Sequence, residues 1–231
     1  MFNRFPQLFI LLRRLGLSLA LLWFCRMLFY FFNRSYFSDL SISELFFILL
    51  AGLRFDLSAL MMYNSLFIIL SLLPFPFRSK IVYQKILKWI FLLTNGFALA
   101  LSAIDFIYFR FTFKLSTSDL FSFVATGDDT TRLIPQFLKD YWFAFLIFIA
   151  LIWLMIFLYK KTGKELISET KYSLKNYFLH TLIFFVSIAI CIFTYRGGFQ
   201  LRPITIINAS EYASVKNIPL VINTPFSVIK S

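Results

Sequence analysis

The sequence is short of most of the residues that carry enzyme chemistry. One histidine, His180, occurs in 231 residues, which largely excludes histidine-based metal sites and Ser-His-Asp triads. No CxxC, HExxH, GxSxG or Walker-type loop is present. The two cysteines, Cys25 and Cys191, lie inside long apolar runs. They read as small buried hydrophobes rather than a disulfide or metal pair. Charge is scarce as well: 15% of residues are charged, against about 25% in an ordinary soluble domain. Acids are the scarcer sign, 11 against 23 basic residues. Neither an internal repeat nor a low-complexity linker interrupts the chain.

Most of the sequence is apolar. It is 60% hydrophobic and 21% aromatic, with 33 phenylalanines, more than one soluble core of this size can bury. The surplus surface must face something other than water, and a lipid bilayer satisfies that requirement. The net charge of +12 would suggest nucleic acid for a soluble protein. In a membrane protein such a surplus marks cytoplasmic loops instead, so no nucleic-acid partner is expected.

A bilayer core of about 30 Å needs about 20 apolar helical residues to cross it. Five segments qualify, at about 8–32, 45–73, 86–109, 142–159 and 177–194. Their continuous length implies helices rather than barrel strands. The first contains Arg13-Arg14 ahead of its apolar run, as a signal peptide would, but Trp23-Phe24-Cys25-Arg26-Met27 offers no small-residue cleavage site, and an uncleaved anchor is expected. Arg4, Arg13, Arg14, Arg78, Lys80, Lys85, Lys88, Lys160, Lys161, Lys164, Lys171 and Lys175 share one side with two acids, Glu165 and Glu169. The other long loop balances Arg110, Lys114, Arg132 and Lys139 with Asp119, Asp128, Asp129 and Asp140. The positive-inside rule then puts the N-terminus in the cytoplasm and the C-terminus outside. The expected fold is an all-α integral membrane protein, a five-transmembrane-helix bundle (1–194) with an extracytoplasmic C-terminal tail (195–231).

Ionisable groups within spans cost about 2.5–3.5 kcal/mol each on insertion scales and so invite functional hypotheses. Arg26, Arg54, Asp56 and Asp105 all fall between the expected midplane and the outer interface. Arg54 and Asp56 are two residues apart, about 200° around a helix, and cannot pair with each other. Each needs a partner on another span. One reading is interhelical ion pairs of Arg26 or Arg54 with Asp56 or Asp105. Another is an outward-opening recess with a guanidinium on a phospholipid phosphate, and a third is a proton or ion path. The stretch Asp105 to Lys114, including Arg110, reads either as an interfacial aromatic belt or as an amphipathic segment on the outer surface. Ser116-Thr117-Ser118-Asp119 offers helix-capping chemistry. Gly127-Asp128-Asp129 reads as a turn rather than a cation site, since it lacks the ligand count of a calcium loop.

In the tail, Gly197-Gly198 permits a tight bend flanked by Arg196 and Arg202, and Pro203, Pro219 and Pro225 restrict the backbone beyond it. This is the composition of a shaped connector.

Gly52-Leu-Arg-Phe-Asp56, Asp105 to Lys114 with Thr117 and Asp119-Leu-Phe121, Arg196-Gly-Gly to Arg202-Pro203, and Asn223-Thr-Pro-Phe226 occur in that order. Together they resemble the membrane half of lipoteichoic acid synthase-like proteins, the sulfatase-related phosphoglycerol transferases. The resemblance implies five spans and an extracytoplasmic catalytic domain of alkaline phosphatase type. It also implies transfer of phosphoglycerol, or in some relatives phosphoethanolamine, from a phosphatidylglycerol-like donor to a cell-envelope acceptor through a covalent threonine. Manganese or a similar divalent ion would sit in that catalytic domain and not in this chain. Family members continue past the Asn-Thr-Pro-Phe segment toward the nucleophile, so the 231 residues are expected to hold no catalytic residue or metal ligand and to be inactive alone. Arg54, Asp56, Asp105, Arg110, Arg196 and Arg202 carry over as lipid or interdomain contacts, with Gly197, Gly198 and Asn223 in the connector. The expected location is the bacterial cytoplasmic membrane, with membrane lipids and the extracytoplasmic catalytic domain as partners. The alternative is a stand-alone small transporter or membrane assembly partner.

Overall fold

The computed structural model describes residues 6–118, 139–163 and 174–231. Among these the chain is helical and contains no strand. Six helices form the body: α1 (Pro6–Phe32), α2 (Ile42–Tyr63), α3 (Ser65–Leu72), α4 (Ile81–Thr112), α5 (Trp142–Lys161) and α6 (Leu174–Arg196). The segment after Arg196 folds into short 3-10 turns and two small helices, α7 (Ile218–Val221) and α8 (Thr224–Lys230). Helices α1, α2, α4, α5 and α6 are long and apolar enough to cross a membrane. Each coincides with one of the five expected segments.

The ends differ from expectation for local reasons. Helix α2 starts at Ile42, not Leu45, because Ser41 and Glu44 form a capping box: Glu44 N–H donates to Ser41 Oγ at 3.3 Å, and Ser41 N–H to Glu44 Oε2 at 3.0 Å. The expected span 45–73 is one helix only as far as Tyr63. Asn64 interrupts it with φ −94° and ψ 5°, and α3 continues the apolar run to Leu72. Helix α4 runs further than 86–109 at both ends, so Lys85 is helical. It stops where Phe113 takes the left-handed conformation at φ 55° and donates its N–H to Phe109 O at 2.9 Å. That conformation disfavours a bulky residue, but Phe113 stacks on Tyr36 with ring centroids 5.3 Å apart. Residues 105–112 therefore extend α4 instead of forming a separate segment. Asp119 and Gly127-Asp128-Asp129 lie outside the described residues.

Helix α4 packs against α1 and α5, and α2 packs against α1 and α6. Successive long helices run in opposite directions. The start of α1 meets the end of α5, with the Arg14 guanidinium 4.3 Å from the Tyr159 ring centroid. At the far end, Phe32 stacks on Phe106 and Phe143, each at 5.7 Å. Phe55, Phe67, Phe91, Phe106 and Phe109 are fully buried between the helices. The outward faces stay apolar: Trp89, Trp153, Phe178 and Phe185 are all more than 60% exposed.

Candidate functional site

The polar residues of the far end meet along a seam that the C-terminal segment closes. Arg26, near the end of α1, reaches across to α2 and ion-pairs with Asp56. The two side chains are 2% and 0% exposed. The Nη groups also donate to backbone carbonyls, Leu220 O at 2.8 Å, Val221 O, and Gly52 O at 3.2 Å, while the buried Nε has no hydrogen-bond partner among the described residues. Gly52 is required there, because a Cβ at that position would fall on the guanidinium. The arginine thus joins α1 and α2 to the carbonyl end of α7, where a cation is favoured.

Asn223 connects this pair to the tail. Its Nδ2 donates to Asp56 Oδ1, while its Oδ1 caps α8 by accepting the Phe226 N–H at 2.6 Å. Pro225 in the first turn fits the same start signal, since the donor it lacks would be unpaired anyway. The next residue serves the second carboxylate. Thr224 Oγ1 donates to Asp105 Oδ2 at 2.8 Å. Ser116 donates to Asp105 twice, through N–H at 3.0 Å and through Oγ at 2.5 Å. Asp105 is 0% exposed and, among the described residues, is held by hydroxyls and a backbone amide and not by an arginine. The Asn223-Thr224 dipeptide therefore bridges both buried carboxylates. A cavity of about 20 Å³ adjoins it, with Arg26, Ser102, Asn223 and Thr224 among its lining residues.

Arg54 faces the other way, as its two-residue offset from Asp56 requires. It donates to Gly197 O at 2.8 Å, Tyr212 Oη at 2.5 Å and Gln200 Oε1. These contacts hold the bend after α6, where Gly197 has φ 80° and Gly198 φ 130°. A Cβ on Gly197 would meet the Ile204 side chain. Arg196 closes the bend by donating to Gln200 O at 3.1 Å and Leu201 O at 2.7 Å. Arg202 is exposed on the outside of it. Arg110 stands apart from the seam and donates to Phe32 O at 2.7 Å, where it satisfies a carbonyl at the end of α1.

Comparison with protein-family models, curated proteins and solved structures finds no match. The residues themselves carry what can be said of the site.

Of the positions singled out from sequence, Arg26, Asp56 and Asn223 come together, and Asp105 joins them through Thr224. Arg54, Arg196, Gly197 and Gly198 form a second group at the bend. Among the described residues no three His, Cys, Asp or Glu side chains converge as a metal site would require. Sequence reasoning assigns Ser116 a capping role, but its amide and hydroxyl are spent on Asp105. It also misses two buried asparagines. Asn64 and Asn95 exchange hydrogen bonds at 2.9 and 3.3 Å in mid-bundle. An asparagine inside a long apolar run is the available signal, and it marks the break in α2.

Proposed function

We propose that this chain is the membrane-anchoring portion of a lipoteichoic acid synthase-like transferase in a bacterial cytoplasmic membrane. On this reading the N-terminus lies in the cytoplasm and the C-terminal segment outside. The observation that carries the reading is the docking of residues 218–230 onto the spans through Asn223 on Asp56 and Thr224 on Asp105. A connector tied to buried carboxylates of two spans holds whatever it carries at a set height and angle above the bilayer. That is what an anchor must do when donor and acceptor are both lipids, because confinement to the surface replaces a search through bulk solvent. The apolar exteriors of α5 and α6 support insertion. The gathering of Arg13, Arg14, Arg78, Lys160 and Lys161 where α1 and α4 begin and α5 ends supports the orientation.

On this reading the catalytic unit moves phosphoglycerol or phosphoethanolamine from a phospholipid to an envelope acceptor, and the divalent ion belongs to that unit. The 231-residue chain in phosphatidylglycerol liposomes should release no diacylglycerol. An in-frame alkaline phosphatase-type coding sequence downstream of codon 231 should restore release when expressed with it. Release by the 231 residues alone, or the absence of any such frame, would overturn the proposal. A stand-alone transporter draws support from one feature, the interruption of α2 at Asn64, since broken helices line substrate sites in transporters. Solute flux in proteoliposomes of the 231-residue chain would favour that alternative.

A further inference from the structure

Helix α6 does not close on the break in α2. Met61 and Met62 at the end of α2, with Ile68 and Ile69 of α3, face Ile188 and Cys191 of α6 across a slot of about 300 Å³. That is the scale of a ligand pocket, whereas the recess of about 20 Å³ beside Asn223 has room for one water. The slot follows from the interruption. Asn64 turns into the bundle to exchange hydrogen bonds with Asn95, which leaves the two methionines and Ser65 on the side of α6. On the tail side of the slot, Ser58 Oγ donates to Tyr195 O at 2.6 Å and ties α2 to the end of α6.

The lining is apolar along its length and polar at one end. Tyr195 marks that end, and Lys230 of α8 sits against it. The Lys230 amine lies 4.5 Å from the Tyr195 ring centroid and donates to Tyr195 Oη at 3.2 Å. Among the described residues Lys230 belongs to no ion pair, so its charge is available to a ligand. A long apolar slot with a cation at its head is complementary to an amphiphile with an anionic head. The dimensions agree. Ile188 to Tyr195 covers about 10 Å of α6 at about 1.5 Å per residue. A volume of 300 Å³, at roughly 30 Å³ for each water-sized group, holds about ten methylenes. Met61 and Met62 line it with unbranched, polarizable side chains that adapt to a flexible chain.

The surroundings select the occupant. The slot adjoins the exterior of α6, where Leu182, Phe185 and Ile192 are half exposed or more, and Ile192 itself is part of the lining. It is therefore continuous with the face that α6 offers to lipid. A helix from a second copy, about 10–12 Å across with its side chains, is too wide to enter, whereas a single hydrocarbon chain fits. We propose that the slot holds one acyl chain of an anionic membrane phospholipid whose headgroup phosphate rests against Lys230. The lipid then serves as a packing element between the broken α2–α3 pair and α6. This rests on the membrane reading and is independent of any transferase role.

The test uses the whole chain, purified in detergent after exposure to an equimolar mixture of phosphatidylglycerol and phosphatidylcholine with identical acyl chains. Retained lipid is counted by native mass spectrometry. The wild-type chain should keep phosphatidylglycerol in preference to phosphatidylcholine. Equal retention, or none, would overturn the proposal without recourse to any variant. Cys191→Trp fills the slot and should weaken retention of both lipids ~10-fold, with helicity by circular dichroism confirming that the bundle still forms. Ile149→Trp, which enlarges an exposed position on α5, should leave retention unchanged. Lys230→Gln should remove the preference for phosphatidylglycerol and leave phosphatidylcholine retention as it was. Undiminished retention in Cys191→Trp, equal losses in the two tryptophan variants, or a preference that survives Lys230→Gln would each refute the assignment. So would a lipid-free dimer of the wild-type chain that Cys191→Trp dissociates, because the slot would then belong to a second copy. Transferase activity enters none of these readouts, so their failure and that of the proposed function are distinguishable.

Discussion

Asp56→Asn isolates the charge at the centre of the seam. Arg26 Nη2 and Asn223 Nδ2 both donate to Asp56 Oδ1, whereas Oδ2 has no hydrogen-bond partner among the described residues. An asparagine in the same rotamer keeps Oδ1 as the acceptor for both and places its new amide where Oδ2 stood. Shape and the two hydrogen bonds at Oδ1 are conserved, the countercharge is removed, and the new amide brings donors to a buried position where Oδ2 had no hydrogen-bond partner. Breaking a buried pair from one side costs about 3–5 kcal/mol. The lower figure applies here, because Arg26 keeps the carbonyls of Gly52, Leu220 and Val221. At about 2–4 °C per kcal/mol for a chain of this size, about 3 kcal/mol lowers the melting temperature by roughly 6–12 °C. Cys25 provides the assay. It is 3% exposed, one residue from Arg26, and in a Cys191→Ala background a thiol-reactive fluorophore reports its exposure on heating. Arg26→Met combined with Asp56→Leu should recover most of the loss, since replacing both partners removes the desolvation cost along with the attraction. A shift below about 2 °C for Asp56→Asn, or no recovery in the double variant, would refute the assignment of the pair as the clasp between α1 and α2.

Three more outcomes are expected from the same geometry. Gly52→Ala puts a methyl group on the Arg26 guanidinium and should destabilise by at least the ~3 kcal/mol of the broken pair, read by the same thiol assay. Asn64→Leu leaves the Asn95 amide without its cross-helix partner and should cost about 1–3 kcal/mol, while Asn64→Leu with Asn95→Leu should cost less than either single change; both are measured by thermal melting in detergent. At the exposed pair Lys216–Asp39, separated by 2.5 Å, the hydrogen bond from Lys216 holds the Asp39 carboxyl below its ordinary value of 3.8. A folded-state value below the unfolded one stabilises above the unfolded value and is lost as pH falls through the folded value. The tie should therefore persist down to about pH 4 and fail only below it. A carboxyl carbon-13 titration of Asp39 would show this, with Lys216→Ala moving the midpoint back up.

The five long helices were legible because hydrophobicity over about 20 residues is a local property, and nothing in tertiary packing can overrule it. Their ends were less legible. Ser41 and Glu44 carry a readable capping box, and the unbroken apolar run hid the interruption at Asn64. The sites were legible as residues but not as pairings. Spacing alone established that Arg54 and Asp56 face apart, and the structure sends one to the bend at Gly197 and the other to Arg26. It could not reveal that Asp105 would take hydroxyl and amide donors, because Ser116 is 11 residues away and Thr224 is 119. Such contacts depend on where the tail folds, which no periodicity encodes.

The tail's place in the bundle also changes the meaning of the buried charges. A carboxylate inside a span usually answers to another span or to a ligand. Here Asp56 and Asp105 answer in part to Asn223 and Thr224, adjacent residues of a segment beyond the last long helix. Moving α2 relative to α4 must then either strain that dipeptide or release one of its two hydrogen bonds. Displacing the tail likewise leaves two buried carboxylates short of donors, at a cost of about 1–3 kcal/mol each. Spans and tail are thereby coupled in both directions. A disturbance at the half-buried end of α8 is transmitted to the relative position of α2 and α4 through two named hydrogen bonds, and Asn223→Ala or Thr224→Val should uncouple one carboxylate at a time.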